Sequence, residues 1–214
     1  MRDAIWNRPE RGGRGPAPTH SREGIVAAAV AIADADGLAS VSMRGVAAAL
    51  GTGAASLYRY LDSREELLDL MTDQVAEELR PLPPPQGEWL TTMVALARRQ
   101  RELFGRHPWL LETIHRPSAV GPNGLGWLDH CLMVLAPVDR PATAKLEAIG
   151  MTTGVVTLFA RTSAGPARAA LPAVDPTAHP RLAAAFGGPA TAPDTSALFE
   201  RVIRSLLTGL LAPQ

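Results

Sequence analysis

The sequence has very little of what marks several common protein classes. It contains one cysteine among 214 residues, and aromatic residues make up only 5% of the chain. No apolar run reaches the eighteen or so residues that a membrane-spanning helix needs. The arginine-rich start lacks the apolar segment of a secretion signal. These features argue against a disulfide-stabilised secreted domain and predict a cytoplasmic protein without a membrane span.

Lysine is also nearly missing, since Lys145 is the one lysine among 21 basic residues, and 21 acidic residues bring the net charge to zero. A neutral chain is not held on nucleic acid by bulk electrostatic attraction. Residues 1–22 nevertheless carry five arginines against two acidic residues. We therefore interpret residues 1–20 as a flexible basic arm, which is either a solvated tail or a segment whose arginines add contacts to the phosphates or the minor groove of a nucleic acid.

What the sequence does contain is helical periodicity, with 46% apolar residues distributed as in a soluble globular chain. The pattern predicts helices at about 22–36, 42–50, 54–60, 63–80, 88–106, 122–136, 142–163 and 196–211, with shorter pieces at about 108–115 and 181–186. Ser21, Ser42 and Ser63 are the predicted N-caps, and Glu66 completes a capping box with Ser63. Thr195 or Ser196 is expected to cap the last helix. No strand pattern occurs, so the predicted fold is all-α.

Two short predicted helices joined by Gly51-Thr52-Gly53 and preceded by a longer one have the layout of a helix-turn-helix. On a helical wheel Leu57 and Leu61 point inward, whereas Tyr58 and Arg59 point outward. An arginine can form a bidentate pair with guanine, and a tyrosine hydroxyl can donate to a phosphate. The layout predicts a DNA-reading helix, although a compact helical hairpin with surface tyrosine and arginine has the same pattern.

The stretch from Ser21 to Met71 resembles the DNA-binding domain of the TetR (tetracycline repressor) family of bacterial transcription regulators. The matching segments are Arg22-Glu23-Gly24-Ile25, Gly37-Leu38, Val41-Ser42-Met43-Arg44-Gly45-Val46-Ala47, Leu50-Gly51, Ser56-Leu57-Tyr58-Arg59-Tyr60-Leu61 and Arg64-Glu65-Glu66-Leu67-Leu68. More loosely, Arg106-His107-Pro108-Trp109-Leu110 and Gly121-Pro122-Asn123-Gly124-Leu125 resemble the C-terminal domain of the tetracycline-repressor-like branch. Tyr60 and Arg59 depart from the tetracycline repressor, which has His and Trp there, so its operator sequence does not transfer.

The resemblance implies a helix-turn-helix domain at 21–66 and a C-terminal ligand-binding and dimerisation domain at 67–214. It implies a repressor that binds a palindromic double-stranded operator as a homodimer and is released by a small, mostly apolar effector. The residues that would face DNA are Ser42, Arg44, Ala54, Ala55, Ser56, Tyr58, Arg59, Tyr60 and Arg64. No catalytic residue, metal site or cofactor is expected, so the chain is interpreted as a regulator and not as an enzyme.

The effector pocket is predicted from large, adaptable apolar groups and a few polar ones on the central helices of the C-terminal domain. These residues are Phe104, His107, Trp109, His115, Trp127, His130, Met133, Met151 and Phe159, and the same residues would also suit an ordinary helical core. The dimer interface is predicted on 142–163 and 196–211, including Leu206 and Leu207. Gly150 and Gly154 would allow close helix approach there.

Three other interpretations remain open at this stage. His107, His115 and His130 could gather around a metal, although their spacing lacks the specificity of a zinc signature. Cys131 beside His130 could suggest a nucleophile pair, but adjacent residues on a helix point about 100° apart, which favours a buried structural cysteine. A purely structural helical dimer is the third alternative. Loss of operator binding in an Arg59→Ala variant would separate a regulator from these classes.

Overall fold

The protein is described by a computed structural model over residues 5–7, 20–85, 87–114, 116, 120–164, 175, 177–186 and 194–212. These residues form helices and no strands, which confirms the predicted all-α fold. The helices are α1 (Arg22–Asp36), α2 (Met43–Ala49), α3 (Ala54–Leu57), α4 (Arg64–Ala76), α5 (Trp89–Arg106), α6 (Leu110–Thr113), α7 (Pro122–Val134), α8 (Ala142–Ala164), α9 (Pro180–Phe186) and α10 (Thr195–Leu211). Single turns of 3₁₀ helix occur at Ile5–Asn7, Leu38–Ser40 and Glu77–Leu79.

The serine N-caps of the first, second and fourth helices are confirmed. The hydroxyls of Ser21, Ser42 and Ser63 each accept the backbone N–H three residues further on, at 3.0–3.1 Å. The capping box at Ser63 differs from the expectation, because the Glu66 carboxylate accepts the backbone N–H of Asp62 at 2.8 Å. Three of these helices therefore begin where their local sequence specifies, since each cap satisfies an otherwise unpaired N–H.

Two other helix ends differ from the prediction. Helix α3 ends at Leu57, and residues 58–60 form a turn. Asp194, and not Thr195 or Ser196, caps α10, because its carboxylate accepts two backbone N–H groups of that helix at 3.0 and 2.9 Å. An aspartate at this position also places negative charge at the positive end of the helix dipole.

The N-terminal unit, residues 22–61, is a three-helix packing in which α1 lies against α2 and α2 lies against α3. Its core includes Ile25, Val46, Leu57 and Leu61, whose side chains are all fully buried. The inward orientation predicted for Leu57 and Leu61 is thereby confirmed. Helix α4 then leaves this unit and runs through the boundary predicted at 66/67, so one continuous helix is shared by the two parts of the chain.

Part of the predicted basic arm packs on the folded chain. Ile5 is 4% exposed, and its carbonyl oxygen accepts a hydrogen bond from Arg22 at 3.4 Å. The flexible arm predicted at 1–20 is therefore corrected at residues 5–7, where an apolar side chain is removed from water. Residues 1–4 and 8–19 lie outside the described part of the chain.

In the C-terminal part, α5 lies against both α8 and α10, and α7 closes the side next to α4. The rings of Phe159 on α8 and Phe199 on α10 meet edge to face with their centroids 5.2 Å apart. Among the described residues, none of the helices is long and apolar enough to cross a membrane. The arrangement encloses a space between α4 and α8, described below.

Candidate nucleic-acid interface and central cavity

The face predicted to read DNA is formed by the start of α2, by α3 and by the turn after it. Tyr58 is 53% exposed, and Arg44, Ala55 and Arg59 are exposed as well. Because Leu57 is fully buried on the opposite side, the helix anchors in the core while small, polar and cationic groups face outward. The small side chains of such a surface let the backbone approach base edges closely. The tyrosine and the arginines supply hydrogen-bond donors for base edges and phosphates.

The other residues predicted for this face divide by exposure. Ser42 is exposed, although its hydroxyl is engaged as the α2 cap, whereas Ala54, Ser56 and Tyr60 are half-buried. Their positions are compatible with the predicted interface. The DNA contacts of these residues stay predictions.

Arg64 has a structural role that the sequence did not reveal. Its Nε donates to the carbonyl oxygen of Val41 at 2.7 Å, and one terminal nitrogen donates to that of Leu38 at 3.1 Å. These bonds hold the start of α4 against the segment that precedes α2. A guanidinium engaged in this way positions the face that is predicted to read DNA.

A cavity of about 260 Å³, named here the central cavity, lies between α4, α5, α6, α7 and α8. Its walls are mainly apolar, as in small-molecule sites generally. The lining residues are Asp69, Thr72, Asp73, Ala76, Leu79, Gln100, Leu103, Phe104, Leu110, Thr113, Ile114, Val120, Gly121, Gly124, Trp127, Leu128 and Thr153. The sequence prediction of a mostly apolar pocket therefore has a candidate location.

Two pairs of neutral polar groups face this cavity. The hydroxyl oxygens of Thr72 and Thr113 lie 3.3 Å apart, and each hydroxyl also donates to a backbone carbonyl of its own helix. The Gln100 amide bonds the Thr153 hydroxyl at 3.3 Å. Both distances are long for hydrogen bonds of these types. A bound molecule with donors and acceptors could therefore replace or complete these bonds without leaving a strong one broken.

The carboxylate of Asp73, on α4, is held by hydrogen bonds from the first turn of α7. Its two oxygens accept the Gly124 N–H at 2.9 Å and the Asn123 amide at 3.2 Å. Burial raises the pKa of Asp73, and the bonds from Gly124 and Asn123 oppose part of that rise. A Cβ added at Gly121 would lie 2.3 Å from the Asp73 side chain, so this approach requires a glycine.

Of the nine residues predicted for the pocket, Phe104 and Trp127 line the central cavity. His107 and Trp109 are buried elsewhere, because both ring groups bind the carboxylate of Asp34 on α1. His115 lies outside the described residues. His107 and Trp109 therefore do not line the central cavity, and their ring nitrogens bind a carboxylate of the N-terminal unit instead.

The remaining four predicted pocket residues also lie away from this cavity. His130 bonds the carbonyl oxygen of Pro83 at 2.8 Å. Met133 and Met151 point outward, at 49% and 60% exposure. Phe159 packs on α10. The prediction that they line a pocket rested on residue type alone. In the structure, the helix faces that carry these residues contact a linker, the solvent or another helix.

Sequence reasoning missed the polar residues of the cavity wall. Gln100 and Thr113 are 7% and 3% exposed although both side chains are polar. Gln100 lies on the apolar face of α5, at a position where the helical period predicts an apolar core residue. A polar residue in such a position was the available signal, because burying it is unfavourable unless a partner is present.

The alternatives raised by the sequence gain no support. Among the described residues, no group of three or more His, Cys, Asp or Glu is arranged to hold a metal ion. Cys131 is 1% exposed, and burial raises the pKa of its thiol to about 12. A thiol in this environment remains protonated at neutral pH and is a poor nucleophile.

Comparison with known proteins locates both parts of the chain. Residues 25–71 match the family model of bacterial regulatory proteins, tetR family. Residues 80–213 match that of the tetracyclin repressor-like C-terminal domain. The stretch predicted from sequence motifs as DNA-binding thus coincides with the first of these models.

Two relatives have names that describe regulators. The chain is 40% identical over 163 residues to the HTH-type transcriptional repressor DrrR1 of Streptomyces coeruleorubidus, covering 74% of this chain and 59% of that protein. It is 34% identical over 134 residues to an HTH-type transcriptional regulator of Saccharopolyspora erythraea, covering 62% and 56%. The matched region thus spans less than two thirds of the length of either relative.

Solved structures share the fold. Apo ActR from Streptomyces coelicolor has a TM-score of 0.77 at 31% identity, covering 92% of this chain and 98% of ActR. ActR in complex with actinorhodin is equally similar, at a TM-score of 0.77 and 32% identity, with the same coverage. A single-residue variant of TetR from Acinetobacter baumannii, in complex with minocycline, has a TM-score of 0.66 at 16% identity over 89% of this chain and 96% of its own; that likeness concerns the fold alone.

Proposed function

Because the chain belongs to the tetR family of bacterial regulatory proteins, we propose that it is a transcriptional repressor that binds a palindromic operator as a homodimer. The observation that carries the proposal is the outward face of α2 and α3, with Arg44, Tyr58 and Arg59 exposed above a fully buried Leu57. Such a protein acts in the bacterial cytoplasm as a regulator and not as an enzyme.

Each group on this face suits a part of the DNA. Ala54 and Ala55 begin α3 with small side chains, so the backbone can approach base edges closely. Arg59 would pair with guanine O6 and N7, and the Tyr58 hydroxyl would donate to a phosphate. Two such units related by a two-fold axis would read half-sites that are inverted repeats of each other, about 34–36 Å or a multiple apart.

Selection of binding sites from random double-stranded DNA tests this part of the proposal. The expected product is an inverted repeat with that half-site spacing, bound less tightly as salt concentration rises because phosphate contacts release counterions. An Arg59→Ala variant serves as the control in the same selection. Recovery of unrelated sequences, or of equal repeats with the variant and the unchanged chain, would contradict the proposal.

The homodimer is proposed from the outer face of α8. Leu146, Met151 and Leu158 on this helix are 43%, 60% and 60% exposed, more large apolar surface than one helix usually presents to water. A Cβ built on Gly150 or Gly154 meets nothing within 4 Å. These two positions therefore leave room for a partner helix to approach closely.

On α10 the sequence prediction needs one correction. Leu207 is fully buried within the subunit, together with Phe199, Ile203 and Leu211 on the same face. Leu206 is half-buried and Leu210 is 41% exposed. The proposed interface on α10 therefore includes Leu206 and Leu210 and excludes Leu207, whose substitution would damage the subunit core.

The effector is proposed to be a small, mostly apolar molecule in the central cavity. The neighbouring structure ActR was solved with actinorhodin bound, which supports a small-molecule ligand here. A volume of about 260 Å³ lies near the lower limit of usual ligand sites. The cavity would hold a compact molecule, or the buried part of a larger one, with the Thr72–Thr113 and Gln100–Thr153 pairs as its polar partners.

A thermal-shift screen of apolar metabolites and antibiotics tests the effector, with release of the selected operator measured for each compound that stabilises the chain. Binding stabilises the folded state according to the ligand concentration relative to its Kd. A Leu128→Trp variant, which fills the cavity from α7, is the control and should lose the shift. A compound that shifts both proteins equally, or that leaves operator affinity unchanged, would contradict the proposed effector site.

A further inference from the structure

Besides the packing of α1 on α4, a group of four side chains links the N-terminal unit to the rest of the chain and is named here the Asp34 cluster: Asp34, Glu78, His107 and Trp109. One oxygen of Asp34, on α1, accepts from Trp109 Nε1 at 2.7 Å and lies 2.7 Å from His107 Nδ1. The other ring nitrogen of His107 lies 3.0 Å from the Glu78 carboxylate. Hydrogen bonds that involve a charged group are the strong ones in proteins.

This cluster is well protected from water on the side of the C-terminal part. Trp109 is 2% and His107 is 7% exposed, and their rings meet edge to face at 6.0 Å. Glu78 is further held by two bonds from the Arg106 guanidinium, at 3.1 and 2.9 Å. The position of α1 relative to α5 and α6 is therefore set by directed polar contacts as well as by apolar packing, and directed contacts tolerate small displacements poorly.

The same short segment that binds Asp34 also forms a wall of the central cavity. Leu110 and Thr113 on α6 line the cavity directly after Trp109 in the chain. On its other side α6 is held by α8, since Arg161 donates to the carbonyl oxygen of Leu111 at 3.1 Å. Residues 107–113 thus touch the N-terminal unit, the cavity and α8, the helix proposed for dimerisation, within two helical turns.

We infer that the Asp34 cluster is the joint through which occupancy of the central cavity changes the position of the N-terminal unit. This inference rests on the proposed function for its biological meaning, and it concerns regulation of the same site. A molecule that enlarges the cavity displaces α6 at Leu110 and Thr113. Because Trp109 and His107 lead directly into α6, that displacement stretches their bonds to Asp34 and loosens α1. Trp109 and Asp34 are positioning residues in this scheme, since neither contacts the cavity.

Hydrogen–deuterium exchange of the full-length chain tests the joint without DNA or an effector. Cavity occupancy is imitated by Leu128→Trp, with Leu128→Phe as a milder substitution in case the larger side chain prevents folding. The joint is weakened by Trp109→Phe, which keeps an aromatic ring but removes the Nε1 donor, and separately by Asp34→Asn. Thr152→Val is the matched control, because it removes a buried hydroxyl whose 2.8 Å bond goes to Ala148 on α8, outside the cluster.

Filling the cavity in the otherwise unchanged chain should increase exchange of the α1 amides by at least about fivefold, the low end of usual coupling between sites. In the Trp109→Phe or Asp34→Asn background the same filling should change exchange by less than about twofold, as for independent sites. The Thr152→Val background should retain the full effect. A purely structural cluster would lower stability in both backgrounds and leave the filling effect unaltered.

An unaltered filling effect in the joint variants would overturn the inference, as would a filling substitution that leaves α1 exchange unchanged from the start. Failure of the proposed function gives a different result. In that case selection returns no inverted repeat, while the exchange experiment can still succeed, because it uses neither operator nor effector. Where an operator is found, filling should also weaken its binding, and the joint variants should abolish that weakening.

Discussion

Two arginines predicted to face DNA differ in what their guanidinium groups already hold. Arg59 is exposed on the turn after α3, whereas Arg64 is half-buried. Arg64 already donates to the carbonyl oxygens of Val41 and Leu38. The same residue type, in the same predicted interface, is therefore available for the proposed recognition at one position and holds local structure at the other.

Arg59→Ala should relax the preference for one base pair in each half-site, at a cost of about 1–3 kcal/mol of binding free energy if the arginine pairs with guanine. The measurement is the affinity for a set of operators with single base changes. Arg44→Ala is the comparison, because Arg44 stands on a different helix of the same face. A uniform loss of affinity over all the operators would show that Arg59 contacts only phosphate.

Arg64→Gln should weaken binding to all operators alike and also destabilise the folded chain. Val41 is 1% exposed, so loss of the donor leaves its carbonyl oxygen poorly satisfied, which costs about 1–3 kcal/mol. Urea unfolding gives the free energy, with the exposed Arg44→Gln as the control. Unchanged stability would mean that water replaces the guanidinium at no cost.

Cys131 should resist alkylation in the folded chain. With a pKa raised to about 12 by burial, the thiolate at pH 8 is a fraction of about 10⁻⁴, and the thiolate is the nucleophile. Iodoacetamide labelling, followed by intact mass, should be slow in buffer and fast in urea. Raising the pH to 9 should speed labelling, because the thiolate fraction increases with pH below the pKa. Equal rates with and without urea would show that the thiol is accessible.

At the scale of single helices, the features that the sequence predicted correctly are those that depend on residues close together in the chain. Ser21, Ser42 and Ser63 each accept a hydrogen bond from the backbone N–H three residues further on. Their capping role can therefore be predicted from four consecutive residues. The lining of the central cavity depends instead on which helix faces meet in space. Phe104 and His107 are neighbours in the sequence, yet one lines the cavity and the other reaches Asp34 on α1.

The apolar stripe of α10 shows the same limit. Its sequence contains apolar residues on two adjoining faces of the helix. Leu206 and Leu207 are consecutive in the chain, but they lie on different faces. Only the packing of α5 and α8 decides that Leu207 belongs to the core. A helical period identifies an apolar face, but it does not say whether the same chain or a second copy covers it.

The start of α7 should be intolerant of any side chain at Gly121. A Cβ there would lie 2.3 Å from the Asp73 side chain, so Gly121→Ala must displace the carboxylate that holds Asn123 and Gly124. We expect a loss of about 1–3 kcal/mol in unfolding free energy, the usual effect of leaving such groups unpaired. Thermal and urea unfolding provide the measurement.

Gly105→Ala is the matched control for that substitution. Gly105 lies in the last turn of α5, and nothing is within 4 Å of a Cβ built on it. Alanine there should stabilise the helix by up to about 0.5–1 kcal/mol, which is the usual difference between the two residues in the middle of a helix. If both alanine variants changed stability in the same direction and by the same amount, the close approach of Gly121 to Asp73 would have no energetic consequence.

At the scale of the whole molecule, two copies should separate when charge is placed on the outer face of α8. Leu158→Glu should give a folded monomer with much weaker operator binding, because each half-site would then be bound independently. Light scattering coupled to gel filtration gives the mass, and circular dichroism gives the helix content. Leu125→Glu, on α7 at 56% exposure, is the control. A Leu158→Glu dimer would place the interface elsewhere.

Helix α4 runs without a break from the Ser63 cap to Ala76, across the boundary predicted at 66/67 and along the central cavity. A chimera joined at that boundary is therefore spliced inside a continuous helix, where the helical phase is either preserved or lost. One residue inserted in the middle of α4 would turn the unit by about 100° and move it about 1.5 Å. Four inserted residues would restore the phase to within about 40° but add roughly 6 Å of length. Exchange of DNA specificity at such a junction is thus a problem of helical register, and a splice that ignores it would misdirect the face proposed to read DNA.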